Sequence, residues 1–106
     1  MAATLAHRQC RPDAPALAAD ALPGLLEQVA GWRIDNGYLV REFRFADYHR
    51  TIAFVNASAW ISHAQDHHPD LEVAYARCSV RFITHSAGGL TENDFICAAR
   101  HDALVA

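Results

Sequence analysis

From Asp20 the chain reads DALPGLLEQVAGW, in which Leu22, Leu25, Leu26 and Val29 recur at helical spacing and predict one apolar face. Asp20 is the expected N-cap, Pro23 is tolerated in the first turn and Gly31 supplies the stop. The pattern then changes period. WRIDNGYLVREFRF alternates on both sides of Asn36-Gly37, a pair whose tolerance of left-handed backbone makes it the strongest local signal for a two-residue hairpin. Trp32, Ile34, Leu39, Phe43 and Phe45 supply its apolar positions, with the register open by one residue.

Asp47 caps a second helical pattern, DYHRTIAFVNASAWISHAQDH, where Ile52, Val55, Ala59 and Ser62 or His63 repeat every three to four residues and Tyr48, Phe54 and Trp60 widen the stripe. Pro69 disfavours the helical region for His68, so this longest helix is expected to end at about His67. Two further strands follow, LEVAY at 71–75 and SVRFIT at 79–84, joined tightly through Ala76 to Cys78. Gly88-Gly89 break the second. Thr91, with Glu92 and Asp94 in the first turn, opens a last helix through TENDFICAARHDALV.

The order is α-β-β-α-β-β-α. Two hairpins separated by a long helix predict an α+β domain, one four-stranded antiparallel sheet with helices packed on one face. Residues 1–19, with Pro12 and Pro15 among small and charged residues, read as a flexible arm without a core role, and residues 20–106 as the folded domain.

Composition narrows the function classes. A chain of 106 residues supports one core, and 52% hydrophobic with 20% charged residues is a globular balance. No apolar run approaches the roughly 20 residues of a membrane span, and MAATLAHRQCRPDAPA lacks the apolar centre of a secretory signal, so a cytoplasmic protein without a membrane partner is expected. The net charge is -3, with arginines dispersed, so nucleic acid is not an expected partner. Cys10, Cys78 and Cys97 are odd in number and widely spaced, which argues against a disulfide framework and reads as packing or surface thiols.

Histidine is the chemistry that stands out. His63 and His67 lie four apart on the last turn of the long helix, His68 follows at the turn forced by Pro69, and His85 closes the last strand. In such a fold a helix end and a strand end can meet at a rim, an arrangement that would bring His67, His68 and His85 around one cleft. Histidines four apart make a zinc pair that His85 or Asp94 would complete. HAQDH, however, lacks the acidic second residue of the zincin signature and no Cys-x-x-Cys pair accompanies it, so no metal is expected. Neither Cys78 nor Cys97 has a base beside it in sequence to make it a nucleophile. Proton transfer remains, because imidazoles titrating near neutrality supply both a donor and an acceptor.

The run His63, three residues, His67-His68-Pro69, five residues, Tyr75, nine residues, His85, eight residues, Asp94 resembles the signature of the pterin-4a-carbinolamine dehydratases, known in animals also as a dimerisation cofactor of a homeodomain transcription factor. THSAGGLTENDF at 84–95 is similar to the family's own segment, and the likeness runs from about Asp20 to Asp102. The resemblance implies the family's α+β fold and the dehydration of a 4a-hydroxytetrahydropterin to quinonoid dihydropterin, with no cofactor. It implies His67 and His85 as the proton-transferring pair near C4a and N5, and His68 as the residue that holds and polarises the substrate. His63, Asp66, Leu71 and Asp94 are the implied substrate contacts, with Asp66 and Asp94 orienting an imidazole or meeting the pterin's polar edge; Asp94 also reads as plain helix N-terminal charge.

Two positions depart from the family's habit. His63 stands where many members carry glutamate, and Leu71 where tryptophan often covers the pterin, so a carboxylate's support and a stacking surface are both missing. The resemblance further implies a homodimer or homotetramer and an aromatic amino-acid hydroxylase in the same pathway. The competing class is a non-enzymatic assembly or dimerisation factor on the same fold. Outside the motif, His7, His49 and His101 are expected on the solvated surface, Trp32, Phe54, Trp60 and Phe82 in the core, and Tyr75 in either a packing or a functional role.

Overall fold

The structure is a computed structural model that describes residues 4–106. Four strands form one antiparallel sheet in the order β1-β2-β4-β3: β1 is Arg33–Asp35, β2 Tyr38–Arg44, β3 Asp70–Val73 and β4 Arg77–Phe82. Three helices, α1 at Leu22–Glu27, α2 at Tyr48–Gln65 and α3 at Glu92–Ala103, complete the expected α+β order, with short 3-10 turns at Leu5–His7, Ala19–Ala21 and His85–Ala87. The Asn36-Gly37 turn forms as read, both residues at positive φ (53° and 82°), the conformation a right-twisted two-residue hairpin requires. Leu39, Phe43, Cys78, Val80 and Phe82 share the buried sheet face, where they meet Phe54 of α2 and Phe95 and Ile96 of α3.

Several boundaries move. Asp20 lies in the 3-10 turn and not at the helix cap, so α1 begins at Leu22 and is only six residues long. β3 and β4 each sit one to two residues earlier than expected. The cause is the turn between them: Ala74 N–H bonds to the Arg77 carbonyl at 2.9 Å, Phe45 N–H to the Ala76 carbonyl at 2.8 Å, and the Tyr75 carbonyl accepts from Thr51 Oγ1. Tyr75 itself stays exposed and stacks on Tyr48.

The buried face of α2 is also rotated by one residue. It carries Thr51, Phe54, Ser58 and Ser62, whereas Ile52 and Val55 are half-buried and Ala59 is exposed. The three hydroxyls are buried because each has a partner: Thr51 reaches the Tyr75 carbonyl, Ser58 reaches His101 Nε2 at 2.7 Å and Ser62 the Ser58 carbonyl at 2.8 Å. Trp60, expected in the core, is 72% exposed as a result. His101, expected on the surface, is fully buried between α3 and α2, its Nδ1 donating to the Cys97 carbonyl.

The segment before Asp20 has a core role after all. Leu5 is 3% exposed and belongs to the main cluster, and its turn packs on α3. Polar ties hold the rest: Asn93 clamps the Arg11 backbone through Oδ1 at 3.0 Å and Nδ2 at 2.6 Å, and Arg8 pairs with Glu92 at 3.1 Å. A segment with few large apolar residues is therefore held by its buried Leu5 and by hydrogen bonds to a helix distant in sequence.

Candidate active site

The end of α2 sets the site. Asp47 starts the helix by accepting from Arg50 N–H, and Asp66 ends it in the left-handed region at φ 50° and ψ 43°, which a short polar side chain tolerates. His67 N–H then reaches back to the Ser62 carbonyl at 3.1 Å, a six-to-one closure of Schellman type. The helix thus stops one to two residues before the expected His67, and the left-handed turn sends His67 inward while His68 stays exposed on the rim.

His67 enters a prepared slot. Its ring lies parallel to Phe82, 9° between planes and 5.8 Å between centroids, and its side chain is only 12% exposed. Beneath it Asp94, 0% exposed, takes three hydrogen bonds: His67 Nε2 at 2.6 Å on one oxygen, Thr84 Oγ1 at 2.8 Å and Thr91 N–H at 2.9 Å on the other. A carboxylate only accepts, so Nε2 carries the proton and Nδ1 is the nitrogen left for exchange. Burial opposes a charge on His67, but the Asp94 hydrogen bond and charge outweigh it and raise the pKa above the ordinary value. Thr91 and Asp94 also form the capping box of α3, so one carboxylate both starts a helix and orients an imidazole.

His67, His68, His85 and Asp66 line one cleft of about 370 Å³ at the end of the sheet, with Arg81, Asp70, Ile83, Thr84 and Ser86 completing the wall. The strand end and the helix end therefore meet at the rim, and the three histidines face the same space. His63 and Leu71 do not line it. They border a neighbouring hollow of about 420 Å³ with Ser58, Ser62 and Pro69, and Asp66 and His68 form the partition common to both. Asp94, implied as a substrate contact, is absent from both walls and acts from below through His67.

Two wall residues were missed. Arg81 pairs across the ladder with Asp70 on the sheet face opposite the helices, and its guanidinium lies 4.2 Å over the Tyr38 ring. The alternation of SVRFIT already turns Arg81 away from the core, but nothing in it shows that the cleft wraps the sheet end. Thr84, read as the last residue of a strand, ties Asp94 to the strand end, and its hydroxyl lies 2.9 Å from that of Thr91.

A family model described as pterin 4 alpha carbinolamine dehydratase matches residues 15–104. A protein of Nitrosospira multiformis provisionally named pterin-4-alpha-carbinolamine dehydratase is 48% identical over 103 residues, covering 94% of this chain and 91% of the relative. A protein of Stenotrophomonas maltophilia with the same provisional name is 60% identical over 85 residues, 78% of this chain and 73% of the relative. Among solved structures, a transcriptional coactivator/pterin dehydratase from Brucella melitensis superposes with a TM-score of 0.82 at 29% identity, covering 86% of this chain and 99% of that one. A pterin dehydratase-like protein identified as a RuBisCO assembly factor in the alpha-carboxysome gives 0.62 at 28% identity, over 71% and 89%.

Proposed function

The chain belongs to the pterin 4 alpha carbinolamine dehydratase family, and from that premise we propose that it catalyses the loss of water from a 4a-hydroxytetrahydropterin to give the quinonoid dihydropterin, in the recycling of a tetrahydropterin. The observation that carries this reading is the convergence of His67, His68 and His85 on one cleft whose volume suits a small heterocycle. The reaction needs a proton delivered to the departing C4a hydroxyl and a proton removed from N5, which is work for general acids and bases and requires no cofactor.

His67 takes the part of the acid. Asp94 favours its imidazolium, and the free Nδ1 is the atom that passes the proton to the leaving oxygen. His85, exposed on the outer wall, takes the N5 proton and returns it to water. His68 and Asp66, on the partition, hold the polar edge of the ring, while His63 and Leu71 meet whatever extends from it into the second hollow.

Self-association belongs to the same reading. β1 and β3 leave two unpaired sheet edges, and the exposed Trp60 lies on the outer side of α2, so a homodimer or homotetramer is the proposed state. An aromatic amino-acid hydroxylase is the proposed source of the substrate, and the cytoplasm the proposed place; among the described residues no helix is long and apolar enough to cross a membrane.

The second reading, a non-enzymatic assembly factor, is favoured by the likeness to the RuBisCO assembly factor. One experiment separates them. Purified protein is mixed with freshly generated 4a-hydroxytetrahydropterin and the rise of quinonoid absorbance is followed. Acceleration over buffer, lost on replacing the three histidines, supports the enzyme; a rate equal to buffer, with a partner captured in its place, supports the scaffold.

A further inference from the structure

Two of the three cysteines lie side by side. Cys10 comes from the N-terminal segment and Cys97 from the middle of α3, 87 residues apart in sequence, and their sulfurs are 3.5 Å apart. A disulfide needs about 2.05 Å, so only a small approach separates this contact from a bond. Neither group is loosely held. Cys10 N–H donates to Gln65 Oε1 at 2.8 Å, its Sγ lies 3.6 Å from the Asn93 carbonyl, and the next residue is clamped by Asn93. Cys97 is fully buried with its Sγ 3.9 Å from the His67 carbonyl, whereas Cys10 is partly exposed. Cys10 is thus the half-buried member of the pair and Cys97 the fully buried one.

We propose that Cys10 and Cys97 are a thiol–disulfide exchange site, a dithiol that a low-molecular-weight disulfide such as oxidised glutathione converts into a cross-link between the N-terminal segment and α3. The Cys10 thiolate attacks one sulfur of the disulfide, a glutathione thiolate leaves, and a mixed disulfide remains on Cys10. Cys97 then gives up its proton and attacks the Cys10 sulfur, expelling the second glutathione thiolate. The cysteine pair loses two electrons and two protons, which appear in two molecules of glutathione thiol.

The division of labour has an electrostatic basis. The hydrogen bond from Cys97 stabilises the Cys10 thiolate against the opposing effect of burial, His67 and Arg100 add positive charge, and the Cys10 pKa falls below the ordinary thiol value. The same bond and burial hold Cys97 above it. An accessible low-pKa cysteine backed by a resolving cysteine is the arrangement of redox-sensitive pairs. Cys78, fully buried under the sheet, has no such partner and serves as the internal control. Neither thiol takes part in the reaction proposed above, although both lie close to His67.

The test uses the full chain, incubated with oxidised glutathione, alkylated and mapped by mass spectrometry. The expected result is loss of two alkylatable thiols, a cross-linked Cys10–Cys97 peptide pair without retained glutathione, and reversal by dithiothreitol. Cys97→Ala, checked for an unchanged circular dichroism spectrum, should retain glutathione on Cys10, and Cys10→Ser should remain unmodified. Wild-type protein that keeps all its thiols, or that holds glutathione on Cys10 without forming the cross-link, overturns the proposal.

Discussion

His67 Nε2 donates to Asp94 Oδ1 across 2.6 Å, and this bond joins the end of α2 to the start of α3 beneath the cleft. The carboxylate cannot turn away, because Thr84 Oγ1 and Thr91 N–H hold its other oxygen. The strand end, the helix cap and the candidate acid are therefore one hydrogen-bonded unit.

Asp94→Asn keeps the shape and removes the charge. Burial then prevails and the His67 pKa drops. In the proposed reaction His67 is active when protonated, so the alkaline limb of kcat/KM against pH should move to lower pH, with kcat down by about 100-fold. An unshifted profile would show that Asp94 serves only the helix cap.

Acid should destabilise the fold through His101. Burial holds its pKa below the ordinary value of 6.5, opposed by its bond to the Cys97 carbonyl and the charge of Asp102. Because the folded value is the lower one, its contribution is complete above the unfolded value and is lost as pH falls toward the folded value. His67 has the opposite sign: its raised pKa gives stability that is complete below 6.5 and fades as pH rises through the folded value. Because the two histidines act in opposite directions, the His101 contribution is read as the gap in urea midpoint between wild type and the less stable His101→Asn, a gap that should narrow from about pH 8 to about pH 5. A gap that stays constant would exclude His101 as a source of acid sensitivity.

Phe54 is the hinge of the aromatic cluster, with Phe43 at 4.6 Å, Phe45 at 5.2 Å and His101 at 5.9 Å between ring centroids. Phe54→Ala should cost about 3–5 kcal/mol in chemical denaturation. A loss under about 1 kcal/mol would mean that the site collapses around the smaller side chain.

Leu71→Trp restores a broad apolar wall in the second hollow, next to His68 and Pro69. An aromatic contact adds about 0.5–1.5 kcal/mol, so KM for the hydroxypterin should fall by about two- to tenfold with kcat little changed. A change in kcat with constant KM would place Leu71 away from the bound ring.

Trp60→Arg puts a charge on the outer side of α2. The monomer should keep its stability to within about 0.5 kcal/mol, as expected for an exposed position. Sedimentation should shift toward smaller species, and an unchanged distribution would locate any subunit contact elsewhere, with the β1 and β3 edges as the next sites to alter.

The sequence by itself determined the elements whose signals are local. Asn36-Gly37, Asp47 and Thr91 act through their own backbone and nearest neighbours, so the hairpin, the long helix and the last helix start where they were read. The expectation that His67, His68 and His85 gather around one cleft also agrees with the structure, in which all three line the same hollow. Tertiary structure decided what depends on partners distant in sequence. Whether Thr51, Ser58 and Ser62 are buried turned on Tyr75 and His101, and that rotated α2 and left Trp60 in solvent. Whether Asp94 meets a substrate or an imidazole turned on the left-handed Asp66, which aims His67 inward. The adjacency of Cys10 to Cys97 arose in the same way. A polar side chain is buried when a partner stands within hydrogen-bond reach, and that partner is supplied by the fold and not by the neighbouring letters.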